Sequence, residues 1–379
     1  MEGSRFFSSH AELSIRCELC PRKCLLAPGK TGVCRVRSNR EGKPDLPYYG
    51  YVTALATDPV EKKPLYHFRP GTEILSIGFA GCNLHCPFCQ NWHISQSTAV
   101  PGSVYSPAEL TAAVRKPGRS AQSIAAMQSI AAIQSIAAIH SIAAIHSIAY
   151  TYSEPLVHAE FLIDCMKEAR KEGIANVLVT NGCISPKAAE EILSLTDAAN
   201  IDLKCFSEES YAKVLGGDLS TVLGFIKIAV KMGVHVELTT LVVPGLNDSR
   251  EELDACVDFI AGLENSSEEA DSSAAGAAGN KSTIPWHLSA YHPDWKWDAP
   301  PTSPDLLSRT AARARKHLAF VYTGNIAGEK NDTLCPYCGK LLTSRRTYRI
   351  DTSGLLLKEE NQKHSYYCAS CGRRAPFRW

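Results

Sequence analysis

The sequence has almost no net charge, with 40 Lys and Arg against 39 Asp and Glu in 379 residues. That balance excludes long-range attraction to a polyanion or an anionic membrane surface, and basic residues are not interleaved with aromatics as in a nucleic-acid groove. Neither nucleic acid nor membrane is expected as a partner. The start, Met1 to Arg16, lacks a basic segment followed by an apolar run and a small-residue cleavage site, so no secretory signal is expected and a cytoplasmic location follows. Hydrophobic residues make up 45% of the chain, which is enough to bury at least one large core and excludes a disordered or fibrous class.

Cysteine, by contrast, is plentiful. Fifteen are many for a reducing compartment, and eleven fall into three tight clusters, the pattern of metal ligation rather than of disulfides. Cys165, Cys183, Cys205 and Cys256 lie outside the clusters in apolar contexts, where small buried thiols are expected.

From about Glu73 short apolar runs alternate with amphipathic stretches. Strands are predicted at Ile74–Phe79, Ser147–Tyr152, Ala175–Thr180, Ala199–Lys204, Val234–Val242 and Pro285–Ser289, with a shorter run at Leu318–Tyr322. Helices are predicted at Pro107–Arg115, Pro155–Glu172, Pro186–Leu195, Leu219–Met232, Arg250–Leu263 and Pro304–His317. This alternation implies an α/β fold, a partial (β/α)6 TIM-type barrel with a Cys-rich N-terminal extension and a zinc-ribbon-like C-terminal unit. The expected domains are residues 1–70, 71–324 and 325–379. In such barrels the loops after the strands carry the chemistry.

Two stretches break the pattern. Residues 264–283, rich in Ser, Ala, Gly and acidic side chains, are expected to form a solvated, flexible loop. A hexapeptide array, Ser-Ile-Ala-Ala-Ile/Met-Gln/His, begins at Ser123, Ser129, Ser135 and Ser141 and runs into Ser147. On a helix six residues advance the face by about 240°, so no apolar stripe forms, and polar residues at every repeat argue against a membrane span. The array (123–146) reads as a local duplication of the start of the strand before Tyr150, with His140 and His146 carried along passively.

The strand at Ile74–Phe79 runs into Ala80-Gly81-Cys82-Asn83-Leu84-His85-Cys86-Pro87-Phe88-Cys89. A C-x3-C-x2-C loop wraps three corners of a [4Fe–4S] cubane, because soft thiolates suit iron–sulfur clusters, and it leaves one iron open to a cofactor or substrate. The alternative is a zinc loop that borrows His85 or His93 as a fourth ligand. Its place after the first strand of a βα series, and Phe88 before the last cysteine, weigh against that.

The outer clusters read differently. Cys335-x2-Cys338 and Cys368-x2-Cys371, each followed by glycine, form paired knuckles for a tetrahedral ion, either structural zinc or rubredoxin-like iron. Cys17, Cys20, Cys24 and Cys34 have C-x2-C-x3-C-x9-C spacing and suit a structural metal or a second cluster. A noncatalytic multi-zinc interaction module is the competing function, although six βα units exceed what such a module needs.

On these residues the chain resembles radical S-adenosylmethionine (SAM) enzymes, specifically the AmmeMemoRadiSam-system branch related to pyruvate formate-lyase activating enzyme. The resemblance also rests on Cys17 to Cys24 (CELCPRKC), Asp58 to Phe68 (DPVEKKPLYHF), Gln90-Asn91-Trp92, Tyr150 to Pro155 (YTYSEP), Ile201 to Lys204 (IDLK), Val243 to Asp248 (VPGLND) and Tyr291-His292-Pro293. It implies a [4Fe–4S] cluster on Cys82, Cys86 and Cys89 that cleaves SAM reductively, giving a radical that abstracts hydrogen from a substrate, and the activating-enzyme likeness points to a protein glycyl site. It implies that Phe88, Glu154, Asn181, Asp202 and Lys204 lie at the cofactor and that His292 lies near the reaction. Ser153 stands where the family's acidic motif has its second glycine. Expected partners are a low-potential donor such as ferredoxin or flavodoxin, and Memo-like and AMMECR-like proteins. Read without the family, Glu154 is equally a helix cap, Asp202 with Lys204 an ordinary ion pair, and His292 a core histidine.

Overall fold

The computed structural model describes residues 5–115, 145–263, 281–328, 330–346, 349–360 and 363–379. The hexapeptide array up to residue 144 and the acidic stretch up to residue 280 lie outside them. The main strands are β1 (Ala54–Pro59), β2 (Glu73–Gly78), β3 (Ser147–Thr151), β4 (Ala175–Thr180), β5 (Ala198–Asp202), β6 (His235–Val242), β7 (Trp286–Ala290) and β8 (Val321–Gly324). The helices between them are α1 (Pro107–Arg115), α2 (Ala159–Lys171), α3 (Pro186–Leu193), α4 (Leu219–Lys231), α5 (Arg250–Ala261) and α6 (Pro304–Ala314). The fold is α/β with mostly parallel strands.

Two compact units divide the chain: residues 1–59, 72–85 and 91–197 form the first, and 60–71, 86–90 and 198–379 the second. In the first, the strand order is β4-β3-β2-β1. β2, β3 and β4 run parallel, with Leu75 opposite Ile148 and Ala175 opposite Ser147. β1, which sequence periodicity did not single out, pairs antiparallel with β2, from Ala54 opposite Gly78 to Pro59 opposite Glu73. Ile74 and Ile77 on β2 and every residue of β3 are buried, as expected of parallel strands covered on both faces. The N-terminal residues add a small antiparallel sheet of Phe7–Ser9, Ile15–Cys17 and Leu25–Leu26.

In the second unit the order is β8-β7-β6-β5, all parallel. Side-chain caps set the starts of two of its helices. Asp218 accepts from the Thr221 amide at 2.7 Å ahead of α4, and Ser249 accepts from Glu252 at 3.1 Å ahead of α5. α5 then buries Leu253, Cys256, Val257 and Ile260, the i, i+3, i+4, i+7 stripe of an amphipathic helix. Beyond β8, six further strands make two three-stranded sheets over a small core of Leu342, Leu355, Tyr366, Ala375 and Phe377.

Near the N-terminal end of β6 the carboxylate of Glu237 is fully buried. It accepts from the backbone amides of Tyr66 (2.9 Å) and His67 (2.7 Å) and bonds to His235 (3.0 Å) and His287 (2.7 Å). Asn200 holds the Pro64 carbonyl at 2.8 Å, and Glu61 accepts from Gly71 at 2.8 Å. The Val60–Phe68 part of the DPVEKKPLYHF motif is thus a polar plug at the ends of the strands opposite the chemistry, a stabilising place rather than a catalytic one.

Three boundaries differ from expectation. The helix predicted from Pro155 opens as a 3-10 turn, Pro155–His158, before α2 begins. β5 stops at Asp202, so Lys204 lies past the strand rather than on it. The tail of the supposed flexible loop is ordered at Ser282, which is buried and bonded through its backbone to His317 and Ala319. Cys165, Cys183, Cys205 and Cys256 are all buried, as anticipated.

Candidate active site

In the first unit, Cys82 follows β2, Glu154 follows β3 and Asn181 follows β4, all at the carboxyl ends of parallel strands. Two N–H groups approach the Cys82 sulfur, the Leu84 amide at 3.4 Å and the Asn181 Nδ2 at 3.7 Å. The same Asn181 Nδ2 donates to Asn83 Oδ1 at 3.0 Å, and Asn83 Nδ2 in turn donates to the Cys183 carbonyl at 2.7 Å. Spacing alone gave no sign of Asn83, because its role depends on strands that meet only in the folded chain.

Glu154 is 1% exposed and caps the Pro155 turn by accepting from Leu156 at 3.1 Å. It also accepts from Thr180 Oγ1 at 2.6 Å and from the Asn181 amide at 2.8 Å. The carboxylate therefore locks the ends of β3 and β4 together and orients Asn181 toward Cys82. Ser153 donates to the Phe79 carbonyl at 2.7 Å, and Asn91 donates to the Tyr152 carbonyl at 2.7 Å, where Tyr152 has φ +69°. The YTYSEP motif is a brace for the start of the Cys82 loop.

In the second unit, Cys86 is buried and Cys89 half-buried. Burial pushes the Cys86 thiol up to about 12, with the Lys204 ammonium pulling the other way. Lys204 donates to Asp202 at 2.9 Å. Burial works against the Lys204 charge, but Asp202 and Cys86 outweigh it and hold the ammonium well above its ordinary value. Asn247 of VPGLND is a staple behind this lysine. Its Nδ2 reaches the carbonyls of Lys204 (2.5 Å) and Leu241 (2.8 Å) while its Oδ1 accepts from Val243 (2.6 Å).

Buried Phe88 packs edge-on against Trp297 with ring centroids 6.4 Å apart, and the Lys296 amide donates to the Pro87 carbonyl at 2.9 Å. His292 is exposed, not a core histidine, and its Nε2 lies 3.2 Å from Gln90 Nε2. The 86–90 segment, the turn after β5 and the turn after β7 thus gather in this unit.

At the C-terminus, Cys335, Cys338, Cys368 and Cys371 bring their sulfurs within 4.8 Å of one another. The Cys335–Cys371 and Cys338–Cys368 pairs stand 3.8 and 3.7 Å apart. Around one ion with metal–sulfur bonds near ~2.3 Å, a tetrahedron has edges of about 3.8 Å. This is the spacing of a mononuclear tetrathiolate site.

The radical SAM superfamily model matches residues 76–260. An uncharacterized protein of Methanocaldococcus jannaschii is 33% identical over 382 residues, spanning 99% of this chain and 98% of its own. The pyruvate formate-lyase-activating enzyme of Clostridium pasteurianum is 31% identical over 112 residues, 30% of this chain and 47% of that enzyme. The chain thus spans about half of that relative's length. Streptococcus suis SuiB bound to S-adenosylmethionine aligns over 67% of this chain and 52% of its own at 12% identity, with a TM-score of 0.45. The radical SAM match and the homology to an activating enzyme make the chain an enzyme rather than a noncatalytic zinc module. Among the described residues no helix is long and apolar enough to cross a membrane.

Proposed function

We propose that this chain, which belongs to one family with the Methanocaldococcus jannaschii protein and carries a radical SAM domain homologous to pyruvate formate-lyase activating enzymes, uses SAM to abstract hydrogen from a substrate. The observation that carries the reading is Cys82, just past the end of β2 inside the matched residues, with two N–H groups aimed at its sulfur. The donor set fits a [4Fe–4S] cluster: three cysteines in C-x3-C-x2-C spacing would ligate three irons and leave the fourth without a protein ligand. When bound, such a cluster supplies one electron that splits SAM into methionine and a 5′-deoxyadenosyl radical.

The chain's own residues bind, orient and exclude water. Cys82, Cys86 and Cys89 are the ligands, and Asn181 and the Leu84 amide hydrogen-bond the Cys82 sulfur. Asp202 and Lys204 offer one charge of each sign for the methionine end of SAM. Glu154 acts through Asn181 and Thr180 as a positioning residue, and Phe88 with Trp297 supplies an apolar wall. His292 is an exposed imidazole beside Gln90, which follows Phe88 closely in the chain, and is assigned to the substrate side.

The C-terminal four cysteines hold zinc in a structural role in this reading, on the strength of their tetrahedral spacing. A ferredoxin or flavodoxin in the cytoplasm supplies the electron, and the AmmeMemoRadiSam likeness of the motifs makes Memo-like and AMMECR-like proteins the first partners to examine. Anaerobic reconstitution followed by reduction in the presence of SAM tests the function. Release of 5′-deoxyadenosine that disappears in Cys82→Ala is the expected result; an intact cluster whose spectrum ignores SAM would overturn the reading.

A further inference from the structure

The proposed reaction leaves a second group of free thiols in the first unit unused. Cys17, Cys20, Cys24 and Cys34 all line one small, partly open cavity. Arg22 and Arg37 are the charged residues in its wall, and no carboxylate lines it. Arg37 is 1% exposed; its Nε donates to Cys17 Sγ at 3.3 Å while its other nitrogens grip Glu160 at 2.6 and 2.8 Å. A buried guanidinium fixed in this way is an N–H donor for a ligating thiolate and part of the positive charge that an anionic centre requires.

Spacing separates this set from the C-terminal one. Among the described residues, Cys335, Cys338, Cys368 and Cys371 form the group of Cys, His, Asp or Glu donors that closes to within 4.8 Å, and the N-terminal four do not. They line a shared space without closing to that distance, as thiolates do that each bind a different iron of a polynuclear core.

The cavity also borders the radical SAM loop. Gly81, immediately before Cys82, has φ +82°, and a Cβ there would fall 2.4 Å from the Cys34 carbonyl oxygen and 2.8 Å from Val36 Cγ1. Asn83, immediately after Cys82, lines the cavity itself. One chain neighbour of Cys82 thus lines the N-terminal cysteine pocket, and the other packs against the Cys34 backbone, where only glycine admits the approach.

We propose that Cys17, Cys20, Cys24 and Cys34 hold a second iron–sulfur cluster that relays electrons to the cluster at Cys82, a role that rests on the radical SAM reading above. One electron from a ferredoxin- or flavodoxin-class donor reduces the N-terminal cluster. Reoxidation of that cluster reduces the one at Cys82 by the same electron, with no bond made or broken and no proton moved.

The test uses the full chain, reconstituted anaerobically with ferrous iron and sulfide. Wild type should hold about eight iron and eight sulfide as two cubanes, and Cys82→Ala/Cys86→Ala/Cys89→Ala should keep about four of each in a cluster whose electron paramagnetic resonance ignores SAM. Cys20→Ser/Cys24→Ser should keep the SAM-responsive cluster, cleave SAM with dithionite within about twofold of wild type, and slow at least about tenfold with reduced flavodoxin. About four iron in wild type, or zinc alone in the triple alanine variant, would overturn the second cluster, and an unchanged flavodoxin-driven rate would overturn the relay. If the triple variant keeps its cluster while wild type never cleaves SAM, the catalytic reading falls and the second cluster stands.

Discussion

Asn181 gathers more of the candidate site than any other single residue of the first unit. Its backbone amide is held by Glu154, and its side chain reaches Cys82 Sγ, Asn83 Oδ1 and, as acceptor, the Cys183 amide. Partners of this kind, one bond removed from a metal, set the orientation and electronics of the ligand. Asn181→Ala is expected to weaken retention of the Cys82 cluster roughly 10- to 100-fold while leaving the chain folded. Iron release to a chelator, followed by absorbance under argon, measures it; wild-type retention would show that the amide is incidental. The family resemblance pointed to Asn181 as a cofactor contact, and the fold adds a role that spacing did not disclose, because Asn181 and Cys82 sit on different strands.

At the level of elements, burial of imidazoles makes both units sensitive to acid. Burial holds His67 down to about 3 and His158 down to about 4, against 6.5 when free. Both histidines are neutral in the folded chain, with His67 bonded to Tyr322 at 2.6 Å and His158 to the Ala80 carbonyl at 2.8 Å. Below pH 6.5 the unfolded chain takes up protons that the folded chain does not, so stability falls as pH falls, until the folded values are reached. Each group contributes about 1.4 kcal/mol per pH unit, so the slope between pH 6 and 4.5 is about 2.7 kcal/mol per unit. Glu237 adds to the loss below its free value of 4.5: burial opposes its charge, but bonds from His235 and His287 prevail and hold it well below the carboxylate range. Urea unfolding across pH 7.5 to 4.5 checks this, with His67→Asn expected to flatten the slope by about half. An unchanged slope in that variant would assign the acid sensitivity elsewhere.

For the whole molecule, the metal sites and the inserts decide different things. The C-terminal strands from Thr333 to Arg378 cover a core of a few side chains, too small to hold by itself, and Cys335 and Cys368 belong to that core. Removing the ion should release about one metal per chain and expose residues 333–379 to hydrogen exchange while β2, β3 and β4 keep their protection. Full protection after complete metal removal would assign that stability to packing. Deletion of residues 123–144, by contrast, should leave iron and sulfide content unchanged in soluble protein, because the array repeats the opening of β3 and that strand is complete from Ser147. Loss of the cluster in a soluble deletion variant would give the array a role beyond duplication.

The α/β class, most strand and helix positions and the three cysteine groups are determined by sequence alone, because periodicity and ligand spacing are local properties. Ala175–Thr180 matches to the residue, since glycines flank its apolar run. Antiparallel β1, the plug of Tyr66 and His67 on Glu237, Asn83 beside Cys183, and Gly81 against Cys34 were decided only by the tertiary structure. Each joins residues far apart in the chain, and the hydrogen bonds, burial and close approach that define them exist only once the strands have been brought side by side.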